Sequence, residues 1–293
     1  MKKEQLKISI RFFNDREVRA VWDENQAKWW FSVLDIVGIL NDENDYHKAR
    51  NYWKYLKAKL KKENSEVVSA TTQFKIIAPD GKKRLADMLD SEGVTDLAKN
   101  FPNNRATKFL DWFLYSDTSI DGQSKKKAYT LFESNLISEI EVGTTKGLQQ
   151  IHAYLFGGLY DFAGQIRKKS ISKGGYQFVF FQHLKATLQE IDAMPQKSFE
   201  EIIQKYAAMN KAHPFMEGNG RSTRVWLDLI LKNELKKCVD WSKISKQDYM
   251  NAMIISTVDY SELARLIKKA LTPKIDDREM YMKGIDYSYY YEE

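Results

Sequence analysis

The sequence predicts a mainly α protein in two parts: a smaller α+β domain over residues 1–120, then a helical domain over 121–293 that carries one β-hairpin flap. Three observations point there. Short β-branched and aromatic runs crowd the first third of the chain. In the last part of the chain, after residue 127, apolar residues recur at helical spacing. Between them, residues 116–127 are polar and aperiodic, which predicts a linker.

In the first part, residues 18–22 form a strand-like run. Trp29-Trp30-Phe31 follows the turn-like Asp23-Glu24-Asn25, so the two predict a hairpin. Ser32 then stands as a cap before Leu34, Val37, Ile39 and Leu40, a short helix. Residues 46–62 predict a basic helix. Lys48, Arg50, Lys54, Lys57, Lys59, Lys61 and Lys62 surround a stripe of Tyr52, Trp53, Leu56 and Leu60. Such a face either meets nucleic-acid phosphates or simply faces water. Residues 74–77 and 82–85 flank Pro79-Asp80-Gly81 and predict a second hairpin.

In the second part, Leu148, Ile151, Leu155 and Leu159 predict one helix, and Phe199, Ile202, Ile203, Tyr206 and Met209 another. Trp226, Leu227, Ile230, Leu231 and Leu235 predict a third. Ser245 and Asp248 resemble a capping box ahead of Met250, Met253, Ile254 and Val258. Residues 168–180 interrupt this pattern with Gly, Ser and β-formers, and predict a hairpin or flap.

Composition narrows the class. A hydrophobic fraction of 43% and an aromatic fraction of 13% suit a packed globular chain, not a disordered one. The net charge of +6 favours phosphate-bearing partners. Cys238 is the one cysteine, which excludes an internal disulfide framework and a thiolate metal cluster. No apolar run reaches the roughly 18 residues of a membrane span, and the charged start is unlike a signal peptide. The expectation is a soluble, cytoplasmic protein with no membrane partner.

The stretch His213-Pro214-Phe215-Met216-Glu217-Gly218-Asn219-Gly220-Arg221 has the parts of a phosphate site. Gly218 and Gly220 let backbone approach an anion as a helix opens, and a helix N-terminus presents N–H groups and positive dipole. Asn219 offers an amide donor. Arg221 offers a forked cation. Glu217 is a hard oxygen ligand suited to Mg²⁺ riding on phosphates. His213 can take a proton from a hydroxyl near neutral pH.

This stretch, with Arg224, resembles the Fic family motif His-Pro-Phe-x-(Asp/Glu)-Gly-Asn-Gly-Arg-x-x-Arg at every fixed position. The resemblance implies an all-helical Fic domain with a flap and transfer of AMP from Mg-ATP to a Ser, Thr or Tyr hydroxyl of a target protein. It implies His213 as general base, Phe215 as the loop's anchor and Glu217 as Mg²⁺ ligand. Gly218, Asn219 and Gly220 would cradle the α- and β-phosphates. Arg221 would hold the β-phosphate and Arg224 the γ-phosphate. Phe162-x-Gly164-x-x-Arg167 resembles the family's upstream segment, and residues 168–180 its flap. At the flap, Lys173, Gly174 and Gly175 would dock target main chain as an added strand. Gly220 stands where the Doc-like kinases have Lys, which favours AMP transfer over phosphorylation.

Ser288-x-x-x-Glu292 resembles the inhibitory motif of the small self-inhibited bacterial branch, with Glu293 where the family has Gly or Asn. A bidentate Glu292–Arg224 pair would remove the γ-phosphate cation. Tyr289 is the expected site of self-modification. The first domain resembles, more weakly, the BRO or prophage-antirepressor N-terminal domain through residues 18–22 and 30–36, a group associated with DNA binding. The resemblances bring in type II topoisomerase subunits as candidate targets, a toxin-like role, and self-association as an open question. Phosphoryl or phosphocholine transfer, and a DNA-binding regulator with a silent Fic domain, stand as alternatives.

Overall fold

The chain opens on a strand that the charge around it hides. β1 (Lys7–Phe13) runs antiparallel to β2 (Arg16–Asp23) across Asn14-Asp15, whose φ angles are 48° and 62°. Asn and Asp tolerate left-handed backbone well, so they close a two-residue hairpin whose twist suits the flanking strands. That pair of residues is the signal that betrays β1. The structure is a computed structural model that describes residues 7–78, 81–134 and 136–292. It divides into two compact units, Met1–Asp117 and Thr118–Glu293.

In the first unit, β3 (Lys28–Ser32), β4 (Thr72–Ile77) and β5 (Lys83–Leu89) complete an antiparallel sheet of order β1-β2-β3-β5-β4. Strand alternation splits its apolar residues between two faces. Val18, Phe31 and Leu89 share a core with the helices, whereas Val21, Trp30 and Met88 pack on the other side. The helices are α1 (Val33–Leu40), α2 (Tyr46–Lys62), the single turn α3 (Glu66–Ser69), α4 (Ser91–Ala98) and α5 (Asn104–Tyr115). Ser32 caps α1, accepting from Asp35 N. The second hairpin is β4–β5; Pro79 and Asp80 of its expected turn lie outside the described residues. On α2, Trp53, Leu56 and Leu60 are buried, but Tyr52 is exposed and leaves the apolar stripe.

The expected linker is not one. After a 3₁₀ turn at Ser116–Thr118, α6 (Ile120–Glu133) begins with Ser119 accepting from Gly122 N. Its buried face is Ser124, Ala128, Tyr129 and Leu131. Small and polar residues carry the inward side, so the apolar periodicity is too weak to read.

The rest of the second unit is helical: α7 (Thr145–Phe156), α8 (Phe181–Ala193), α9 (Phe199–Ala212), α10 (Asn219–Leu235), α11 (Lys246–Ile255), α12 (Ser261–Ala270) and α13 (Arg278–Tyr290). The flap is β6 (Ser172–Lys173) against β7 (Tyr176–Gln177). Beside the expected flap, a second short ladder pairs β8 (Cys238–Val239) with β9 (Leu271–Thr272) and ties the end of α10 to the end of α12. Leu159 falls beyond α7, and Ile254 and Val258 are exposed; α11 packs through Tyr249, Ala252 and Met253 instead. α10 is the buried axis of the unit, with Trp226, Leu227 and Ile230 closed off from solvent. No helix among the described residues is long and apolar enough to cross a membrane.

Candidate active site

The site grows from the turn between α9 and α10. α9 starts at a full capping box, Ser198 with Glu201, and ends at His213 in left-handed conformation (φ 49°, ψ 65°). That reversal throws the chain into a tight loop before α10. Phe215 is fully buried and stacks on His152 at 3.8 Å between ring centroids. His152 Nδ1 accepts from Gly164 N–H at 2.8 Å, so its proton sits on Nε2, which donates to Glu217 O at 2.9 Å. Asn219 closes the loop from the other side: Oδ1 accepts from Phe215 N and Nδ2 donates to Phe215 O, both at 2.8 Å. The expected amide donor to phosphate is therefore spent on the loop. Gly218 holds φ 80°, and any side chain there would collide with the Phe156 ring.

Arg167 fastens the flap to this turn. Its Nε donates to His213 O (2.8 Å), Nη1 to Lys169 O (2.6 Å) and Nη2 to Ala212 O (3.0 Å) and Val179 O, while its own N–H donates to Pro214 O (2.9 Å). Burial lowers its pKa, yet the guanidinium stays the only species that can satisfy so many carbonyls at once. Beyond it, the flap ends in the exposed Lys173-Gly174-Gly175 tip, with positive φ at both glycines. Phe178, just after β7, lies face to face on the His213 ring at 3.7 Å and 15°. His213 Nδ1 lies 3.3 Å from Asn210 O. A carbonyl only accepts, so Nδ1 carries the proton and Nε2 is the free base. Burial, helped by Lys173 and Arg167 and opposed by Asn210 O and Glu292, pushes the imidazole down to about 4. At neutral pH it is uncharged and ready to accept.

The first-turn N–H groups of α10 have no intrahelical acceptor, and two buried arginines follow them. Arg221 places Nη2 2.9 Å from Glu217 Oε1 and Nη1 against Asp121, with its plane facing Phe156 and Tyr289. Arg224 lies deeper. Its Nε donates to Ser288 Oγ (2.7 Å), and its Nη2 to Ser288 O and Glu292 Oε1, both 2.6 Å. The rings of Tyr249 and Tyr291 face it at 5.5 Å each. Glu292 thus meets Arg224 through one oxygen and one nitrogen rather than the bidentate fork expected; Ser288 takes Nε and shares Nη2, and Nη1 donates to Tyr249 OH at 3.4 Å. A side chain at Gly220 would collide with Glu292 Oε1, so the tail carboxylate fills the space that glycine leaves. Burial would raise the Glu292 pKa, but Arg224, then Arg221 and Lys173, hold it below the usual carboxylate range. Burial opposes charge on Arg224 too, yet Tyr249, Glu292 and Tyr206 raise its pKa.

The Fic/DOC family profile matches residues 143–231, the span from the start of α7 to most of α10. The chain carries a Fic/DOC family domain. It is 30% identical over 139 residues to the protein adenylyltransferase VbhT of Bartonella schoenbuchensis, covering 43% of this chain and 28% of that protein. It is 28% identical over 134 residues to the probable protein adenylyltransferase y4lH of Sinorhizobium fredii, covering 41% and 69%. Among solved structures, BepC of Bartonella tribocorum with bound AMPPNP aligns at a TM-score of 0.46 and 20% identity, covering 59% of this chain and 93% of that one.

Sequence reading placed His213, Glu217, Gly218, Gly220, Arg221, Arg224, Ser288 and Glu292 at this Fic centre, and the fold brings all of them together. It missed His152 and Asp121, which lie far from the motif in sequence and carry no local signature. It also missed the Tyr206, Tyr249 and Tyr291 cluster around Arg224, where Tyr206 and Tyr249 share a hydrogen bond of 2.6 Å. Tyr289 is buried, and burial pushes its phenol up to about 12, so modification there requires α13 to leave.

Two predictions follow from the Fic site as it stands. Burial pushes the His152 ring down to about 4 as well. In an NMR titration, both rings should remain neutral through pH 5 and titrate near 4. An unfolded chain protonates them at about 6.5, so folding stability should fall as pH drops from about 6.5 toward 4. A His213 midpoint near 6.5 would contradict its burial. Arg167→Ala should raise hydrogen exchange across residues 168–180 and cost on the order of 3 kcal/mol, because buried carbonyls lose a charged donor. Arg167→Lys should recover less than half, lacking the planar fork.

Proposed function

We propose that the chain is a protein adenylyltransferase. His213 Nε2 takes the proton of a Ser, Thr or Tyr hydroxyl on a target protein, and the freed oxygen attacks the α-phosphorus of ATP. The bond to the bridging oxygen breaks, AMP passes to the target and pyrophosphate leaves. The observation that carries this reading is a neutral, Nδ1-protonated His213 next to a helix N-terminus with two buried arginines. The adenylyltransferase relatives support the choice of AMP over other groups.

The first turn of α10 would bind the α- and β-phosphates through main-chain N–H groups. Arg221 would take the β-phosphate and Arg224 the γ-phosphate. Among the described residues, no three His, Cys, Asp or Glu side chains gather into a metal cage. A half-exposed Glu217 beside the phosphate positions suits Mg²⁺, which binds through one or two carboxylates plus substrate oxygens. When bound, the ion would neutralise phosphate charge. The exposed β6 edge offers target main chain a strand to pair with.

In this reading the tail is inhibitory. Glu292 holds the cation that the γ-phosphate needs, and Tyr291 pins the helix end by donating to Trp241 O (2.8 Å) and Ile244 O (2.9 Å). For the first unit, α2 supports a nucleic-acid contact: Arg50, Lys54, Lys61 and Lys62 are exposed beside exposed Tyr55.

The test is label transfer with α-³²P-ATP and, separately, γ-³²P-ATP, with Mg²⁺ in a bacterial lysate or with purified type II topoisomerase subunits. Glu292→Gly should raise α-label incorporation at least about tenfold over the native chain, the factor that 1.4 kcal/mol of restored phosphate binding supplies. His213→Ala should lower it by roughly 10²–10⁴. Label from γ-³²P-ATP would replace AMP transfer with phosphoryl transfer, and no label in any variant would overturn the reading. For α2, duplex-DNA affinity should fall steeply with salt and be lost on replacing those four basic residues by Ala; no binding at low salt would overturn it.

A further inference from the structure

Both arginines of the α10 first turns carry a carboxylate brought from outside the motif. Arg224 carries Glu292 from just beyond α13. Arg221 carries Asp121 from the first turn of α6, a segment outside the Fic/DOC match. An acidic residue in a helix's first turn is favourable for its own helix, but that does not account for its seat on a buried cation. Both terminal nitrogens of Arg221 face carboxylates, Nη1 toward Asp121 and Nη2 toward Glu217, while its Nε is buried without a hydrogen-bond partner. A phosphate that wants both nitrogens must displace one of them.

The charge balance is equally telling. Two guanidinium groups, Arg221 and Arg224, and the Lys173 ammonium that also acts on Glu292, face three carboxylates, Asp121, Glu217 and Glu292. The carboxylates leave the pocket with no excess of positive charge before any anion arrives. Each of Asp121 and Glu292 removed adds one unit of positive charge for a triphosphate. Glu217 is half exposed and, in the proposed reading, would turn to a metal ion. Asp121 is 47% exposed, so it can swing out to water.

The two helices that carry Asp121 and Glu292 are clamped to each other. The buried Asp286 of α13 accepts from Tyr129 OH and pairs with Lys125 Nζ at 3.3 Å, both on α6. Arg278 pairs with Glu133, and Phe132 stacks on Tyr281 at 4.6 Å. One two-helix block therefore delivers both carboxylates.

We infer that Asp121 is a second inhibitory carboxylate, which competes with nucleotide phosphate for Arg221 as Glu292 does for Arg224. The inference rests on the reading of α10's N-terminus as a phosphate site. It does not require that the transferred group be AMP.

The experiment measures nucleotide binding to the full chain by calorimetry, using AMPPNP, ADP and AMP. The variants are Glu292→Gly, Asp121→Ala/Glu292→Gly and Asp121→Asn/Glu292→Gly, with thermal unfolding as the check that each folds. Removing Asp121 should tighten ADP and AMPPNP about tenfold over Glu292→Gly, with AMP, which lacks a β-phosphate, changed less than about twofold. The isosteric Asn variant should give most of the gain. Unchanged or weaker ADP binding would overturn the inference and make Asp121 a residue that positions Arg221. Equal tightening of AMP would overturn it too, as would the absence of nucleotide binding in every variant. If ADP tightens while Glu292→Gly transfers no label, adenylyl transfer fails and the Asp121 inference stands.

Discussion

Two guanidinium groups buried on consecutive turns of α10 set the conditions that the rest of the second unit must meet. A buried cation without a partner costs several kcal/mol. Arg224 is therefore surrounded: Ser288 by hydroxyl and carbonyl, Glu292 by carboxylate, Tyr249 and Tyr291 by ring faces. Most of those partners belong to α13 or the residues after it. The docked tail supplies the counter-charge. In the proposed reading, nucleotide phosphates would supply it instead, and tail and triphosphate would compete for the same two arginines.

The loop before α10 has the opposite need, which is to stay the same in both cases. It is held by two uncharged side chains and one guanidinium whose donors all go to carbonyls. His152 is neutral and bridges Gly164 to Glu217 O; Asn219 closes a two-way latch with Phe215; Arg167 collects carbonyls from both the flap and the α9 end. None of these contacts depends on whether phosphate or carboxylate occupies the arginines. The His213 ring is set by the same frame, since Asn210 O selects its tautomer and Phe178 stacks on it. In the proposed reading, a site whose counter-charge would change is thereby mounted on a scaffold that would not.

This division explains what was legible in the sequence. The loop motif is contiguous and its residue types are chemically distinctive, so His213 to Arg224 could be read directly. Helices with strong apolar stripes, such as α9 around Ile202, Ile203, Tyr206 and Met209, were equally plain. α6 was hidden because its inward face is Ser124, Ala128 and Tyr129, with little apolar contrast to mark a period. β1 was hidden by the charges around it, and only the Asn14-Asp15 turn marks it. Asp121 and His152 act through tertiary pairs, for which no local spacing exists. Asn219 shows the converse: its place in the motif is clear, yet its side chain serves the backbone rather than a ligand.

The strength of the tail lock does not reside in the Glu292–Arg224 pair alone. Tyr291 is buried against Tyr249, with ring centroids 4.7 Å apart, and donates to two backbone carbonyls; Tyr289, Met282 and Ile285 are buried as well. Burying side chains of this size stabilises docking by about 1.5–3 kcal/mol each, before ordering costs. The carboxylate adds to that sum, because its attraction to Arg224 outweighs its own desolvation and holds its pKa low. In the proposed reading, Glu292 would act by occupying space at Gly220 and charge at Arg224, while the aromatic residues keep it there. Loss of the carboxylate leaves a docked helix and an available cation. Loss of the aromatic anchors frees the helix but also strips the Tyr291 ring face from Arg224 and leaves only that of Tyr249. The two kinds of lesion are physically different, and the first is the one that opens the site without dismantling it.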